Sequence, residues 1–333
     1  MLALTGWLLF ALVAPQSGAE PARIFASSKD CRECHTAIYD EWQDSHHAVS
    51  WTNPAVRLLS NDFANEDCID CHAPKPIFVT GIGERVLPRA TRRKEGVDCI
   101  SCHQLPTNED GSPGGMAGSI MSKRAACKPV EARALTQPDF CSACHNQHKT
   151  VDQWRDSAFA TGADGTKRQD CLDCHMPYVG EGEAQHRTHR FAGGDVLDMV
   201  KDAVTLQAAA VNGAWSLTLT NIGAGHSFPT DERSRAVDVF WRPLSETPGP
   251  WLHLHRIRSP YRSEVDVPDT LLLAGEARVI PVTTAPEGAG DPVPATEAIE
   301  VAVFYKRSPY WLDPAKPDPD NEAQLLHSLE LRP

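Results

Sequence analysis

Ten of the eleven cysteines in this 333-residue chain fall into five copies of Cys-x-x-Cys-His, and no other feature restricts the fold as much. The copies are Cys31-Arg-Glu-Cys34-His35, Cys68-Ile-Asp-Cys71-His72, Cys99-Ile-Ser-Cys102-His103, Cys141-Ser-Ala-Cys144-His145 and Cys171-Leu-Asp-Cys174-His175. Two thiols at this spacing reach the two vinyl groups of one porphyrin, and the adjacent imidazole falls beneath the iron as its proximal ligand. Chance gives the pattern roughly 0.02 times in a chain of this composition. Zinc sites do not require a histidine after every second cysteine, and thioredoxin-like motifs need a βαβ context that is missing here. The motifs therefore call for five covalently bound haem c groups.

Successive first cysteines lie 37, 31, 42 and 30 residues apart. About 35 residues per porphyrin cannot build a separate core around each one. The haems must themselves be the core, stacked together, with short helices and loops outside. Electron transfer is the default consequence. From Val204 onward cysteine disappears and period-two patterns begin: Trp215, Leu217 and Leu219; Val237, Val239 and Trp241; Ile299, Val301, Val303 and Tyr305. The expected architecture is an N-terminal multihaem cytochrome c domain over residues 20–203, followed by a C-terminal all-β, sandwich-like domain over 204–333.

The chain carries 32 basic and 44 acidic residues, a net charge of -12, which argues against nucleic acid or an anionic membrane as partner. A redox partner protein with a basic face fits better. Residues 2–14, LALTGWLLFALVA, are apolar but short for a membrane span, and Ser17-Gly18-Ala19 follows. Residues 1–19 read as a secretory signal, which places the mature protein in the periplasm or outside the cell. No later run is long enough for a transmembrane segment.

The cysteine-rich half contains a duplication. Asp67-Cys68-Ile-Asp-Cys71-His72-Ala-Pro74 matches Asp170-Cys171-Leu-Asp-Cys174-His175-Met-Pro177, so motifs one and two recur as four and five, and motif three stands alone. Asp40-Glu-Trp42-Gln-Asp44-Ser45 likewise matches Asp152-Gln-Trp154-Arg-Asp156-Ser157, each expected on a short helix. Where the first copy has His47, the second has Phe159.

Trp42-x-x-Ser45-x-His47-Ala48, Gly96-Val-x-Cys99, His189-Arg-Phe-x-Gly-Gly194 and Asn221-Ile-Gly-Ala-Gly-His226-Ser-Phe-Pro-Thr230 resemble motifs of secreted multihaem cytochromes c related to the tetrahaem electron acceptor of hydroxylamine oxidoreductase. The resemblance covers most of residues 28–235 and implies mostly bis-histidine haems. His47 lies on the family motif and is the first candidate for a distal ligand; His46 faces about 100° away on the same helix. His189 fits the family motif as well. His148 is placed to cap a neighbouring haem, His186 shares a face with His189 if that segment is helical, and His226 would bring the β-domain onto the haem domain. His253 and His255 belong on the outer face of a strand, and nothing recommends His327. Cys127 reads as a small buried residue; Met116, Met121, Met176 and Met199 have packing roles.

Three functions follow. The first is a pentahaem electron carrier with every iron six-coordinate. The second is an oxidoreductase in which Phe159 marks an open iron acting on a small nitrogen or sulfur compound or peroxide, with His46, Lys149 or Arg155 as proton donors. The third is a subunit of an extracellular cytochrome oligomer or assembly.

Overall fold

The computed structural model describes residues 25–119, 121–122, 124–162, 168–230, 234–261, 263–307 and 323–333; the expected leader lies outside them. The cysteine-rich half is a chain of short helices: α1 Thr36–Gln43, α2 His46–Val49, α3 Pro54–Leu59, α4 Asp67–His72, α5 Ile77–Thr80, α6 Cys99–His103, α7 Pro138–His145, α8 Thr150–Arg155, α9 Ala158–Thr161, α10 Cys171–His175 and α11 Leu197–Asp202. Helices of one or two turns are marginal alone and depend on packing. Local signals bound them. Asn53 caps α3 with Pro54 in its first turn, and Gly162 closes α9 in the left-handed conformation. Two small ladders brace the loops: β1 Met116–Gly118 pairs in parallel with β2 Pro129–Glu131, and β3 Tyr178–Val179 pairs antiparallel with β4 His186–Arg187.

The remaining strands are β5 Val204–Val211, β6 Ala214–Asn221, β7 Ala236–Pro243, β8 Leu252–Ile257, β9 Ala277–Pro281, β10 Ile299–Lys306 and β11 Ala323–Leu331. They form two antiparallel sheets, ordered β5-β6-β9 and β11-β10-β7-β8. Alternation does what the sequence pattern asks: Leu217, Leu219, Val237, Val239, Val301 and Val303 are fully buried and join one apolar core shared by both sheets. Val200 of α11 enters that core, and Ile222 donates its backbone N–H to the Ala203 carbonyl at 2.9 Å. The helix thus ties the cysteine-rich half to the sheets. Among the described residues, no helix is long and apolar enough to cross a membrane.

The other face of the four-stranded sheet is also covered. There Asp238 lies buried, accepting 2.7 Å bonds from Nε and a terminal nitrogen of Arg256 and a 2.9 Å bond from Nε2 of His253, whose ring packs edge-on against Phe240. Burial opposes the charged form, but the bonds from His253 and Arg256 outweigh it and hold the Asp238 carboxyl below its usual range. A depressed folded-state value means that the stabilisation is complete above the unfolded value of about 4 and disappears as pH falls through the lower folded value. Asp238→Asn should therefore cost about 3–5 kcal/mol at neutral pH, where it removes the buried carboxylate that answers His253 and Arg256, and much less in acid. Denaturant unfolding at neutral and acid pH checks this; an equal loss at both would refute it.

Candidate haem sites

A helical turn carries positions i, i+3 and i+4 on one face, which is what two thiols and an imidazole need to meet one flat group. Motifs two, three and five occupy α4, α6 and α10, and motif four ends α7. Motif one runs from the 3-10 turn Ser28–Glu33 to His35, which caps α1. Aspartates start two of these turns: Asp98 accepts from Ser101 N at 2.8 Å, and Asp170 from Leu172 N at 2.9 Å. Asp98 is anchored further by ion pairs to Arg89 at 3.0 Å and Arg92 at 2.9 Å, and Arg89 donates to Gly96 O at 2.6 Å. Although burial opposes ionisation, Arg89 and the Ser101 hydrogen bonds hold the Asp98 carboxyl low.

All ten motif cysteines and all five motif histidines line one cavity of about 2930 Å³. A single small-ligand pocket spans roughly 300–1,000 Å³, so this space suits several large cofactors. His47, His148, His186, His189 and His226 line it too.

Backbone carbonyls fix the imidazole tautomers. Nδ1 of His72 faces Ser50 O at 2.8 Å, that of His103 faces Ala117 O at 2.8 Å, and that of His175 faces Ala192 O at 2.6 Å. Nδ1 of His189 faces Arg187 O at 2.9 Å, and that of His226 faces Ser227 O at 3.0 Å. A carbonyl only accepts, so Nδ1 carries the proton and Nε2 is left with its lone pair for a metal.

Three imidazole pairs then face each other across the cavity. Ring centroids of His47 and His145 lie 6.1 Å apart, those of His103 and His189 6.2 Å, and those of His175 and His226 6.3 Å. Two imidazoles bound to opposite sides of one metal ion stand roughly 6 Å apart, since each metal–nitrogen bond is about 2 Å long. Burial, followed by neighbouring imidazoles, pulls His47 down to about 3 and His145 to about 4; burial likewise takes His189 to about 4 and lowers His103 and His226. All five rings are thus neutral at pH 7, as ligation requires.

The segment holding His47 is built from its own motif. Ser45 donates to Trp42 O at 2.6 Å and caps α2, while Trp42 Nε1 donates to Val97 O at 2.8 Å and Val97 N to His47 O at 2.9 Å. Gly96, at φ +60°, permits this approach, because a Cβ there would lie 2.3 Å from His47 O. The second half repeats the scheme: Ser157 donates to Trp154 O at 2.7 Å, Trp154 Nε1 to Gln169 O at 2.9 Å, and Gln169 N to Phe159 O at 2.9 Å. Val97-Asp98-Cys99 is therefore the counterpart of Gln169-Asp170-Cys171. The cysteines agree, Cys31 lying beside Cys99 and Cys141 beside Cys171. In three dimensions motifs one and three correspond to four and five, and motif two is the inserted one. That corrects the alignment read from the sequence, in which motif two matched five because the residues around the cysteines are alike.

His186 has a different task from the one expected. Its Nδ1 faces Ala184 O at 2.8 Å and its Nε2 faces the Glu41 carboxylate at 3.3 Å, so both nitrogens are engaged. Its segment is strand β4 rather than helix. Glu41 also accepts from His189 N at 2.9 Å; burial opposes its charge, but the bonds from His189 and His186 hold its carboxyl low. His148 sits on the turn Asn146–His148, near enough to His145 to lower it, and is in none of the three pairs. His46 points instead to Asp195 at 3.7 Å. Cys127 is half-buried and its carbonyl accepts from Met116 N at 3.1 Å. His327 Nε2 lies 3.2 Å from Lys201 O. Arg155 is tied to Asp139 and Asp152. Ser50, Ala117 and Ala192 were missed, since they act through backbone carbonyls that no sequence pattern marks; the basic run ahead of Asp98 could have signalled its ion pairs.

Comparison with known proteins agrees with this geometry. Residues 30–104 match the family described as cytochrome c554 and c-prime, and residues 114–208 match the N-terminal region of the NapC/NirT cytochrome c family. Cytochrome c-554 of Nitrosomonas europaea is 29% identical over 157 residues, which cover 41% of this chain and 63% of that protein. The crystal structure of a penta-heme cytochrome c552 from Thermochromatium tepidum shares the fold, with a TM-score of 0.63 at 18% identity over 92% of this chain and 98% of that one. With its attachment motifs and its cavity, the chain is similar to multihaem c-type cytochromes.

Proposed function

We propose that the protein is a periplasmic or extracellular pentahaem cytochrome carrying electrons to or from a redox partner protein. The observation that carries this reading is the set of three imidazole pairs at 6.1, 6.2 and 6.3 Å, facing a cavity lined by all five Cys-x-x-Cys-His turns. Covalently held haem supplies a one-electron iron couple at each turn. The chain's residues do the rest. The ten cysteines tether, and His35, His72, His103, His145 and His175 bind from the proximal side. His47, His189 and His226 would share the irons of His145, His103 and His175. His148 is left for His72, whose turn abuts that of His145, with Cys71 beside Cys144. Two neutral imidazoles per iron hold its potential below that of a Met/His site.

Residues 20–203 form the haem domain in this reading. Residues 204–333 form a β-sandwich whose two sheets share one core and whose His226 completes the site of His175. The leader at 1–19 directs export, and the net charge of -12 favours a partner with a basic face. Resemblance to electron acceptors of the cytochrome c554 type supports the same role.

A second reading rests on His35. It lies outside the three pairs, so motif one is where an iron open to a small nitrogen or sulfur compound or peroxide would sit. Low-temperature electron paramagnetic resonance of the oxidised protein separates the two: wholly low-spin signals mean a carrier, and a high-spin component means an open iron.

Intact mass of the mature protein should show five added haems, and fewer, with cytochrome maturation intact, would refute the count. His47→Ala should turn one low-spin haem high-spin and raise its potential, whereas His46→Ala leaves the spectrum unchanged. The reverse pattern would reassign the ligand.

A further inference from the structure

Phe159 stands where the first half carries His47, and the residues around it give that exchange a purpose. We propose that Phe159, with Trp154 and Gln153, is a seat that positions the Gly225-His226-Ser227 loop, so that the second half has lost a histidine of its own and gained a surface that receives one from the β-domain. The inference rests on reading His226 as the ligand opposite His175.

The loop is gripped on both sides of His226. A Cβ on Gly225 would lie 3.2 Å from Cδ1 of Trp154 and 3.3 and 3.4 Å from Cβ and Cγ of Phe159, so the bare backbone lies directly on these two side chains. One residue past His226, Ser227 donates its backbone N–H to Oε1 of Gln153 at 3.2 Å. On its own side the loop is held by Asn221, which donates to His226 O at 3.0 Å and accepts from Ala224 N at 3.0 Å. Trp154 is fixed in turn by its bond to Gln169 O. The His226 imidazole leaves this clamp 6.3 Å from that of His175, with the ring planes only 15° apart.

The first half also sets an aromatic ring beside its candidate ligand. There the helix supplies the imidazole, His47, and the loop following His189 supplies the ring, Phe191, at 4.2 Å between centroids. In the second half the helix supplies the ring, which meets the loop at the Gly225 backbone. A histidine at 159 would set a polar ring against the Gly225 backbone. An apolar ring there excludes water and leaves the loop a flat support.

The test compares holoprotein variants by ferric spin state, cyanide binding and circular dichroism. His226→Ala should yield one high-spin, cyanide-binding haem. Phe159→Ala should yield the same species, the double variant should still show only one, and added imidazole should restore the low-spin signal in each. Phe159→Leu, which keeps apolar bulk and spares the fold, should remain low-spin, and Gln153→Ala should raise the rate of cyanide binding. If His226→Ala opens one haem while Phe159→Ala and Gln153→Ala change neither spin state nor cyanide binding, the seat is refuted and the ligand stands. If the double variant opens two haems, Phe159 serves another iron and the seat is again refuted. If His226→Ala opens none, the ligand assignment itself falls, and the seat with it.

Discussion

An imidazole meets a metal with one nitrogen, and what holds the other nitrogen decides which. At His72, His103, His175, His189 and His226 the holder is a backbone carbonyl. His72, His103 and His175 are tied through Nδ1 to Ser50, Ala117 and Ala192, residues 22, 14 and 17 positions away in the chain. A helical turn brings cysteines and histidine to one face, but it leaves the imidazole free to rotate. The chain must loop back to lock it, and the short helices and small ladders are the means of doing so. Ala117, for example, lies in β1, whose pairing with β2 holds its carbonyl under His103.

Packing also keeps several of the facing rings neutral. Desolvation lowers His47, His145 and His189 far enough that protonation does not compete with a metal near pH 7. Charge is admitted to the haem half where it is fully answered. Asp98 is buried against Arg89 and Arg92, and Glu41 against His186 and the His189 amide. Each such cluster lies beside a motif or ligand segment and stiffens it. Apolar packing there is limited to small groups such as Ile77, Val86, Phe140 and Ala143, whereas the sheets share one large core.

Chemistry that depends on short spacing could be read from the sequence. The five attachment turns, the period-two strands, and His47, His189 and His226 as ligand candidates all came from residues that act through their own side chains. Pairing did not come, because His47 meets His145 and His226 meets His175 only after the chain has folded back. The placement of His186 on a helix failed for a related reason: its segment is a strand held by Glu41, 145 positions away, and no local pattern announces that partner. The alignment of the duplication also failed on similarity. Motifs two and five look alike, yet the tryptophan hydrogen bonds show that three is the counterpart of five.

That corrected correspondence changes how the molecule divides. Motifs one and three form one unit, with Cys31 beside Cys99, and motifs four and five another, with Cys141 beside Cys171; motif two adjoins the second, with Cys71 beside Cys144. Each unit then looks outside itself for an imidazole. His47 leaves the first unit to face His145 in the second, and the second faces His226 of the β-domain. In the proposed arrangement a ligand borrowed from a neighbour makes docking a condition of low-spin coordination, and the β-domain shares in the ligand field, with Phe159 and Trp154 lying under its Gly225 backbone.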